Sequence, residues 1–316
     1  MFLIAITVLA IVAVGVVANS MRNAHSICHH RAPRPDDDVR VRAAHQPRHA
    51  ARQALSQERV VYRLANVSKT FGRDDSRVAA VRNCSLEIKS GTTAIVGPNG
   101  GGKTTLINMM SGLDAPSSGS IEFFGSKMPF ENYSQLNRLR RECMAFVMQE
   151  INLFRDQTII DNVSFALTRL GFDRRESRRM AMAELKSVGL DTSAIYRFPE
   201  QLSGGQRQRA AIARALLASR NVSTKVILAD EPTASVDSIE SVRVFRRLIE
   251  LTKARQIPLV VVTHNPQLAL LADHIVWCEH GQVEFIEHQQ LQAVQRDTVR
   301  TLQPANSHHR NTNHDA

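Results

Sequence analysis

The chain has 316 residues, of which 43% are hydrophobic, enough for one large domain or two modest ones with a packed core. Its formal net charge of +10 leaves nucleic acid or an anionic membrane surface open as a partner. The four cysteines are scattered and include no C-x-x-C pair, so they argue against a metal or redox centre and do not indicate an oxidising compartment.

Residues 1–20 are predicted to form an apolar N-terminal segment, because the run from Phe2 to Ala18 is almost unbroken. As a helix this run would be about 26 Å long, slightly shorter than a hydrocarbon core of about 30 Å. Arginines follow the run and none precedes it, so the positive-inside rule predicts that its C-terminal side faces the cytoplasm. A single membrane anchor is the favoured interpretation, and a cleaved signal peptide or a start assigned too far upstream stays open as an alternative.

Residues 21–58 are rich in Arg, His and Pro and contain few large apolar side chains, a composition that predicts a disordered basic linker. The folded unit is predicted over residues 59–292, and residues 293–316 are predicted to form a second disordered tail. The histidines of both segments have no regular ligand spacing, so they do not predict a metal site.

Within the folded unit, Val60–Val67 and Ala79–Ile88 alternate apolar and polar residues, as half-buried strands do. The pattern becomes helical over about residues 134–205. Two later apolar runs, Lys225–Ala229 and Pro258–Thr263, are typical of buried parallel strands, and helices are predicted between them. Together these segments predict an α/β core with a helical insertion.

A phosphate-binding loop follows the apolar run Thr93–Val96 and precedes a helical run. It fits G-x-x-x-x-G-K-[ST], a pattern whose backbone N–H groups and helix N-terminus attract phosphate oxygens. Lys103 is predicted to bind the β- and γ-phosphates, and the Thr104 hydroxyl is predicted to bind Mg²⁺. The predicted nucleotide-binding residues of this loop are Gly97, Pro98, Asn99, Gly100, Gly101, Gly102, Lys103, Thr104 and Thr105.

Two further motifs follow in a fixed order. The string LSGGQ, Leu202 to Gln206, precedes a helical run rich in Ala and Arg, and the apolar run from Val226 ends in the carboxylate pair Asp230 and Glu231. With the phosphate loop, these motifs make the region from about Val60 to Phe285 resemble the ATP-binding-cassette (ABC) ATPases. The resemblance implies an α/β P-loop NTPase fold: a RecA-like core with an antiparallel β subdomain and an inserted α-helical subdomain.

The resemblance also implies roles for individual residues. Asp230 would hold Mg²⁺ through water, and Glu231 would orient and polarise the attacking water. Gln149 would sense Mg²⁺ and the γ-phosphate, His264 would contact the γ-phosphate, and Phe71 would stack on the adenine. The expected catalytic residues are therefore Glu231, His264 and Gln149, and the expected Mg²⁺-binding residues are Thr104, Gln149 and Asp230.

In this family two cassettes dimerise head to tail around two ATP molecules. The resemblance implies that one copy closes its LSGGQ string over the γ-phosphate held by the other copy. The residues involved would be Ser203, Gly204, Gly205 and Gln206. ATP and Mg²⁺ are the expected cofactors. One departure lies in the phosphate loop, where Gly101 stands at a position that is commonly serine in the family, and backbone N–H donation is expected to survive this change.

The expected function is that of the ATPase subunit of a transporter at the cytoplasmic face of the inner membrane, driving a separate transmembrane permease. Residues 142–163 and 260–276 most resemble the lipoprotein-release and macrolide-export branch. One alternative is a non-transport ABC ATPase that acts on ribosomes or DNA, although no nucleic-acid partner is expected because the chain has a single cassette and no heptad coiled coil. The other alternative is a membrane-tethered regulatory ABC ATPase.

Overall fold

The computed structural model describes residues 59–73, 76–220 and 225–302. The predicted N-terminal segment (1–20), the predicted linker (21–58) and the final residues from 303 onward lie outside the described residues. Within the ranges that the structure describes, no helix is both long enough and apolar enough to cross a bilayer.

The described chain alternates strands and helices in the order expected of an α/β fold. The strands are Val60–Phe71 (β1), Val78–Lys89 (β2), Thr92–Val96 (β3), Ser118–Phe123 (β4), Ser126–Lys127 (β5), Met144–Val147 (β6), Val226–Asp230 (β7), Leu259–Thr263 (β8), His274–Glu279 (β9) and Gln282–Ile286 (β10). The α-helices are Lys103–Met110 (α1), Tyr133–Cys143 (α2), Ile159–Thr168 (α3), Arg174–Ser187 (α4), Thr192–Ile195 (α5), Gly204–Ala218 (α6), Ser238–Ala254 (α7), Pro266–Ala269 (α8) and His288–Leu302 (α9).

These strands build two sheets. The six-stranded sheet has the order β10-β9-β3-β8-β7-β6, and all its neighbours are parallel except β9 and β10. The four-stranded sheet has the order β2-β1-β4-β5 and is antiparallel throughout. An α/β core with a separate antiparallel sheet and a run of helices between β6 and β7 confirms the predicted fold class.

The parallel strands are apolar on both faces because each face packs against a different layer. Ala94 and Val96 of β3 join the core cluster that contains helices α3, α4, α6 and α7. Ile95, between them, joins the cluster that contains the antiparallel sheet and α1. Alternate side chains of a strand point to opposite faces, so one short apolar run serves both clusters.

The carboxyl ends of three neighbouring parallel strands meet at one edge of the six-stranded sheet. Val96 pairs with Thr263, and Asp230 pairs with Val262, so β3, β8 and β7 end at nearly the same level. The chain segments that leave these strands therefore emerge side by side. This edge is where ligands bind in open α/β sheets.

The structure differs from the sequence pattern in the interval 134–205, which contains a strand of the core sheet. Strand β6 follows α2 directly and pairs in parallel with β7. Its four residues are too few to show a period of their own, and only the pairing with a strand about 80 residues later defines them. The uninterrupted helical insertion begins at Ile159 and not at 134.

A second difference concerns the predicted C-terminal tail. Helix α9 begins at His288 and runs to Leu302, beyond the boundary that the sequence placed at 292. The fully buried side chain of Leu291 belongs to the same core cluster as α7 and β8, and this contact anchors the first turn of the helix to the domain. A polar composition after 292 therefore does not prevent the helix from continuing.

A buried carboxylate connects the helical insertion to the core. Glu184 of α4 is fully buried, and its two oxygens accept hydrogen bonds from Arg220 Nε at 2.8 Å and Arg255 Nη2 at 2.6 Å. Arg220 follows α6 and Arg255 follows α7, so one side chain joins three helices. Charge-assisted bonds of this kind are stronger than neutral ones and are costly to break on one side only.

We expect Glu184→Gln to lower the free energy of unfolding by about 2–3 kcal/mol, less than for a fully enclosed pair because the Arg220 side chain is 41% exposed. Urea unfolding followed by circular dichroism measures this change. The matched control is Glu176→Gln in the same helix, which removes an exposed pair with Arg179 and should leave the unfolding midpoint unchanged. Equal losses in the two variants would contradict the role assigned to Glu184.

Candidate nucleotide site

The loop between β3 and α1 depends on glycine at positions where a side chain has no room. Gly102 caps α1 in a left-handed conformation with φ +106°, and a Cβ atom there would lie 2.1 Å from the carbonyl oxygen of Ala80. A Cβ atom on Gly97 would lie 2.0 Å from the carbonyl oxygen of Cys278. The loop is therefore pressed against β2 on one side and β9 on the other.

Lys103 begins α1 and folds back over the loop. Its side chain is largely buried, and Nζ donates hydrogen bonds to the carbonyl oxygens of Gly97 at 2.9 Å and Pro98 at 2.8 Å. The lysine thus closes the loop from inside and places a positive charge at the N-terminus of a helix, where partial positive charge is already concentrated. Thr104, the next residue, is exposed at the same end of the helix.

Asp230 ends β7 beside this loop. Its side chain accepts a hydrogen bond from the Thr104 side chain, and its Oδ1 atom is buried without a hydrogen-bond partner in the part of the chain that the structure describes. Burial, followed by the nearby charge of Glu231, raises the pKa of Asp230 to about 6, and Lys103 and the Thr104 hydrogen bond oppose that rise. An unpartnered carboxylate oxygen next to a threonine hydroxyl matches the hard oxygen ligands that Mg²⁺ prefers, so these residues fit that ion.

Glu231 and His264 come from neighbouring strands and touch each other. Glu231 Oε1 lies 2.8 Å from His264 Nδ1, and the Glu231 amide donates to the Val262 carbonyl oxygen at 3.0 Å. The Glu231 side chain is 10% exposed, whereas that of His264 is 61% exposed and lies toward solvent. Glu231 has a φ of +46°, a conformation that costs a non-glycine residue about 1–3 kcal/mol and that clusters at functional sites.

Gln149 and Phe71 lie farther out than the phosphate loop and the Asp230–Glu231 pair. Gln149 is exposed just beyond the end of β6, and Phe71 is the last residue of β1, with 45% of its surface exposed. Lys69 Nζ stands 5.0 Å from the centre of the Phe71 ring and is itself held by Asp114 at 2.5 Å. Within the described ranges, no hydrogen bond, ion pair or cation–π contact joins either side chain to Lys103 or Asp230.

The LSGGQ string forms the start of helix α6. The Ser203 hydroxyl accepts from the Gln206 amide at 3.2 Å, and the Gln206 side chain accepts from the Ser203 amide at 3.0 Å, a reciprocal capping box. A Cβ atom on Gly204 would lie 2.9 Å from the Ser235 carbonyl oxygen. Among the described residues these contacts join the string to residues 235–236, and not to the phosphate loop of its own chain.

One residue that shapes the loop, Cys278 of β9, belongs to no sequence motif. Its carbonyl oxygen lies against Gly97 and Gly101, and its Sγ atom is 3.1 Å from the Gly101 carbonyl oxygen. The two residues are 177 positions apart in the chain, and no local pattern marks such a contact. The structure does bring together five residues that the motifs predict for the site, namely Lys103, Thr104, Asp230, Glu231 and His264.

Comparison with known proteins agrees with this geometry. Residues 81–234 match the family profile described as "ABC transporter". This range begins within β2 and includes the phosphate loop, the LSGGQ string and the carboxylate pair.

The chain matches two similar proteins over nearly their whole length. The chain is 37% identical over 230 residues to the lipoprotein-releasing system ATP-binding protein LolD of Francisella tularensis subsp. holarctica, covering 72% of this chain and 97% of that protein. It is 35% identical over 226 residues to the uncharacterized ABC transporter ATP-binding protein MJ0796 of Methanocaldococcus jannaschii, covering 70% of this chain and 94% of that protein.

A solved structure supports the same assignment. The dimeric post-hydrolysis state of the ATP-binding cassette MJ0796, bound to ADP and Pi, superposes with a TM-score of 0.65 and 32% identity, covering 72% of this chain and 99% of that one. The resemblance to the ABC ATPases of the lipoprotein-release branch is thereby confirmed. The chain belongs to the ATP-binding subunits of ABC transporters, and it is an ATPase.

Proposed function

We propose that the chain hydrolyses ATP for a lipoprotein-releasing type of transporter, acting on a separate permease at the cytoplasmic face of the membrane. The observation that carries the chemical part is the assembly of Lys103, Asp230, Glu231 and His264 at one edge of the sheet. The transport part is supported by the similarity to LolD, whose name assigns it to a lipoprotein-releasing system.

Nucleotide binding begins with the phosphate loop. Before a nucleotide enters, Lys103 holds the carbonyl groups of Gly97 and Pro98 and so keeps the loop closed around its side chain. When a triphosphate enters, the ammonium group exchanges these carbonyl oxygens for phosphate oxygens, which carry full negative charge and bind it more strongly. Phe71, exposed at the end of β1, offers its ring to the adenine.

The residues that would hold Mg²⁺ are Thr104, Asp230 and Gln149. The first two already share a hydrogen bond, and the free Oδ1 atom of Asp230 leaves a ligand position open. When bound, Mg²⁺ neutralises charge that builds up between the β- and γ-phosphates. The pKa of Asp230, raised to about 6 by burial and by Glu231, falls when a cation arrives, so the carboxylate form is favoured in the loaded site.

Hydrolysis is assigned to Glu231 with His264 beside it. Water attacks the γ-phosphorus, its proton passes toward the Glu231 carboxylate, and the bond to the β-phosphate oxygen breaks to leave ADP and Pi. His264 Nδ1 at 2.8 Å fixes the orientation of that carboxylate, while the exposed remainder of the ring is free to contact the γ-phosphate. The positive φ of Glu231 is consistent with a side chain held in place for this purpose.

The second half of each site comes from another copy of the chain. Ser203 and Gln206 bond to each other, so the amides of Gly204 and Gly205 at the start of α6 remain to meet a γ-phosphate across the dimer. The MJ0796 cassette, similar over 99% of its length, is dimeric with ADP and Pi bound. Two copies of this chain are proposed to enclose two ATP molecules in the same head-to-tail manner.

An aromatic groove on the helical insertion is proposed to receive the permease. It has a volume of about 490 Å³ and lies between residue 198 and α3 with the loops on either side of that helix. Phe165, Phe172 and Phe198 line it, and each is about two-fifths exposed. Exposed aromatic side chains are enriched where proteins bind one another. The segment that leads into the groove begins next to Gln149, so a movement of the permease there would reach the γ-phosphate side of the site.

We expect Lys103→Ala to weaken ATP binding by about 1.5–3 kcal/mol, because a charge-assisted contact to phosphate is lost. Titration calorimetry on the purified chain measures the change. Lys127→Ala removes an exposed lysine from β5 and serves as the control with unaltered affinity. Parental affinity in the Lys103 variant would count against the loop assignment.

We expect Glu231→Gln to reduce the hydrolysis rate by at least about 100-fold while ATP binding persists, because the amide cannot accept the proton of the attacking water. Phosphate release at saturating ATP and size-exclusion chromatography with ATP test this, and the variant should accumulate as an ATP-bound dimer. Glu250→Gln, at an exposed position on α7, is the matched control. A Glu231 variant that hydrolyses at the parental rate would exclude this carboxylate as the base.

We expect Phe165→Ser to leave ATP hydrolysis by the isolated chain unchanged but to reduce permease-stimulated hydrolysis by about tenfold, the loss typical of a central aromatic anchor. The assay compares hydrolysis with and without the co-purified permease. Tyr133→Ser removes an aromatic that is 73% exposed elsewhere and should retain stimulation. Equal stimulation of both variants would place the permease on another surface.

A further inference from the structure

Strand β9 supports the phosphate loop through its backbone. The carbonyl oxygen of Cys278 would lie 2.0 Å from a Cβ atom on Gly97 and 2.4 Å from one on Gly101. Real Cβ atoms do not approach other atoms so closely, so both positions need glycine for the loop to rest on the strand as it does. Gly101 is the position at which this chain departs from the serine common in the family.

The Cys278 side chain makes a second contact with the same part of the loop. Sγ lies 3.1 Å from the carbonyl oxygen of Gly101, in a fully buried setting. Burial raises the pKa of the thiol to about 11, with Lys103 opposing the rise, so the sulfur keeps its proton at neutral pH and donates the bond. The Gly281 amide donates to the same carbonyl oxygen at 3.1 Å.

The hydrogen bonds that fix the Gly101 carbonyl group also fix the N–H group of Gly102. The peptide bonds of the described chain contain no cis form, so the carbonyl of Gly101 and the N–H of Gly102 point in opposite directions from one rigid plane. Two donors from the β9–β10 hairpin hold the carbonyl toward the strand. The N–H of Gly102 therefore points away from Cys278 and Gly281, and in the proposed site it donates to a phosphate oxygen.

We propose that Cys278 is a positioning residue for ATP binding. Its carbonyl oxygen fixes where the phosphate loop rests on β9, and its thiol fixes the orientation of the peptide group between Gly101 and Gly102. This inference rests on the proposed nucleotide site and adds a residue to it. Cys278 is fully buried behind the loop, so we expect its effect to fall on ATP affinity and not on the chemical step.

The test compares variants that differ only in the hydrogen-bond donor of the side chain at position 278. Cys278→Ala should raise the KM for ATP and the ATP dissociation constant about three- to fivefold with kcat nearly unchanged, the loss expected for one buried hydrogen bond from a weak donor. Cys278→Ser keeps a donor of similar size and should recover most of the affinity. The matched control is Cys143→Ala, because Cys143 is an equally buried thiol in the same core cluster but lies at the end of α2.

Each outcome is decisive. A shift confined to Cys278→Ala and reversed by serine supports the proposal, whereas parental affinity in Cys278→Ala, failure of serine to rescue, or the same shift in Cys143→Ala overturns it. If Cys278→Ala does not fold, Gly101→Ala takes its place: the added methyl group must push the loop off the Cys278 carbonyl, and unaltered ATP affinity in that variant overturns the proposal. Failure of the parental chain to bind ATP would instead contradict the proposed function itself.

Discussion

Three neighbouring parallel strands end at nearly the same level, and each delivers one part of the site. Strand β3 leads into the phosphate loop, β7 ends in Asp230, and β8 leads into His264. The hydrogen bonds of the sheet set their spacing, so the loop, the carboxylates and the imidazole need no further element to bring them together. The helices and the antiparallel sheet cover the two faces of these strands and so keep this register fixed.

Among the described residues, the negative charge at this edge exceeds the positive charge beside it. Asp230 and Glu231 are adjacent carboxylates, both largely buried, and one cation, Lys103, lies close enough to Asp230 to lower its pKa. The raised pKa of Asp230 and its unpartnered oxygen are the signs of that imbalance. In the proposed site, a cation held between these carboxylates and the phosphates of the nucleotide would supply the missing positive charge.

Most of the site was predictable from the sequence because its parts lie in short motifs with fixed spacing. The glycines and Lys103 form one such motif, Ser203 to Gln206 form another, and Asp230 with Glu231 ends an apolar run. Strand β6 was not predictable, since four residues show no period and only their pairing with β7 defines them. The contact of Cys278 with Gly101 was not predictable either, because it depends on the packing of β9 against a loop 177 positions away.

The two hydrogen bonds from Lys103 to the carbonyl groups of Gly97 and Pro98 have a consequence for ligand choice. The ammonium group already has neutral acceptors, so an incoming molecule gains affinity there only by offering a stronger, charged acceptor. Adenosine has nothing to exchange at that position, whereas each added phosphate brings more negative oxygens within reach. The carbonyl groups of the loop thus compete with the ligand for the Lys103 ammonium group. This competition favours ligands with more phosphates, whichever base they carry.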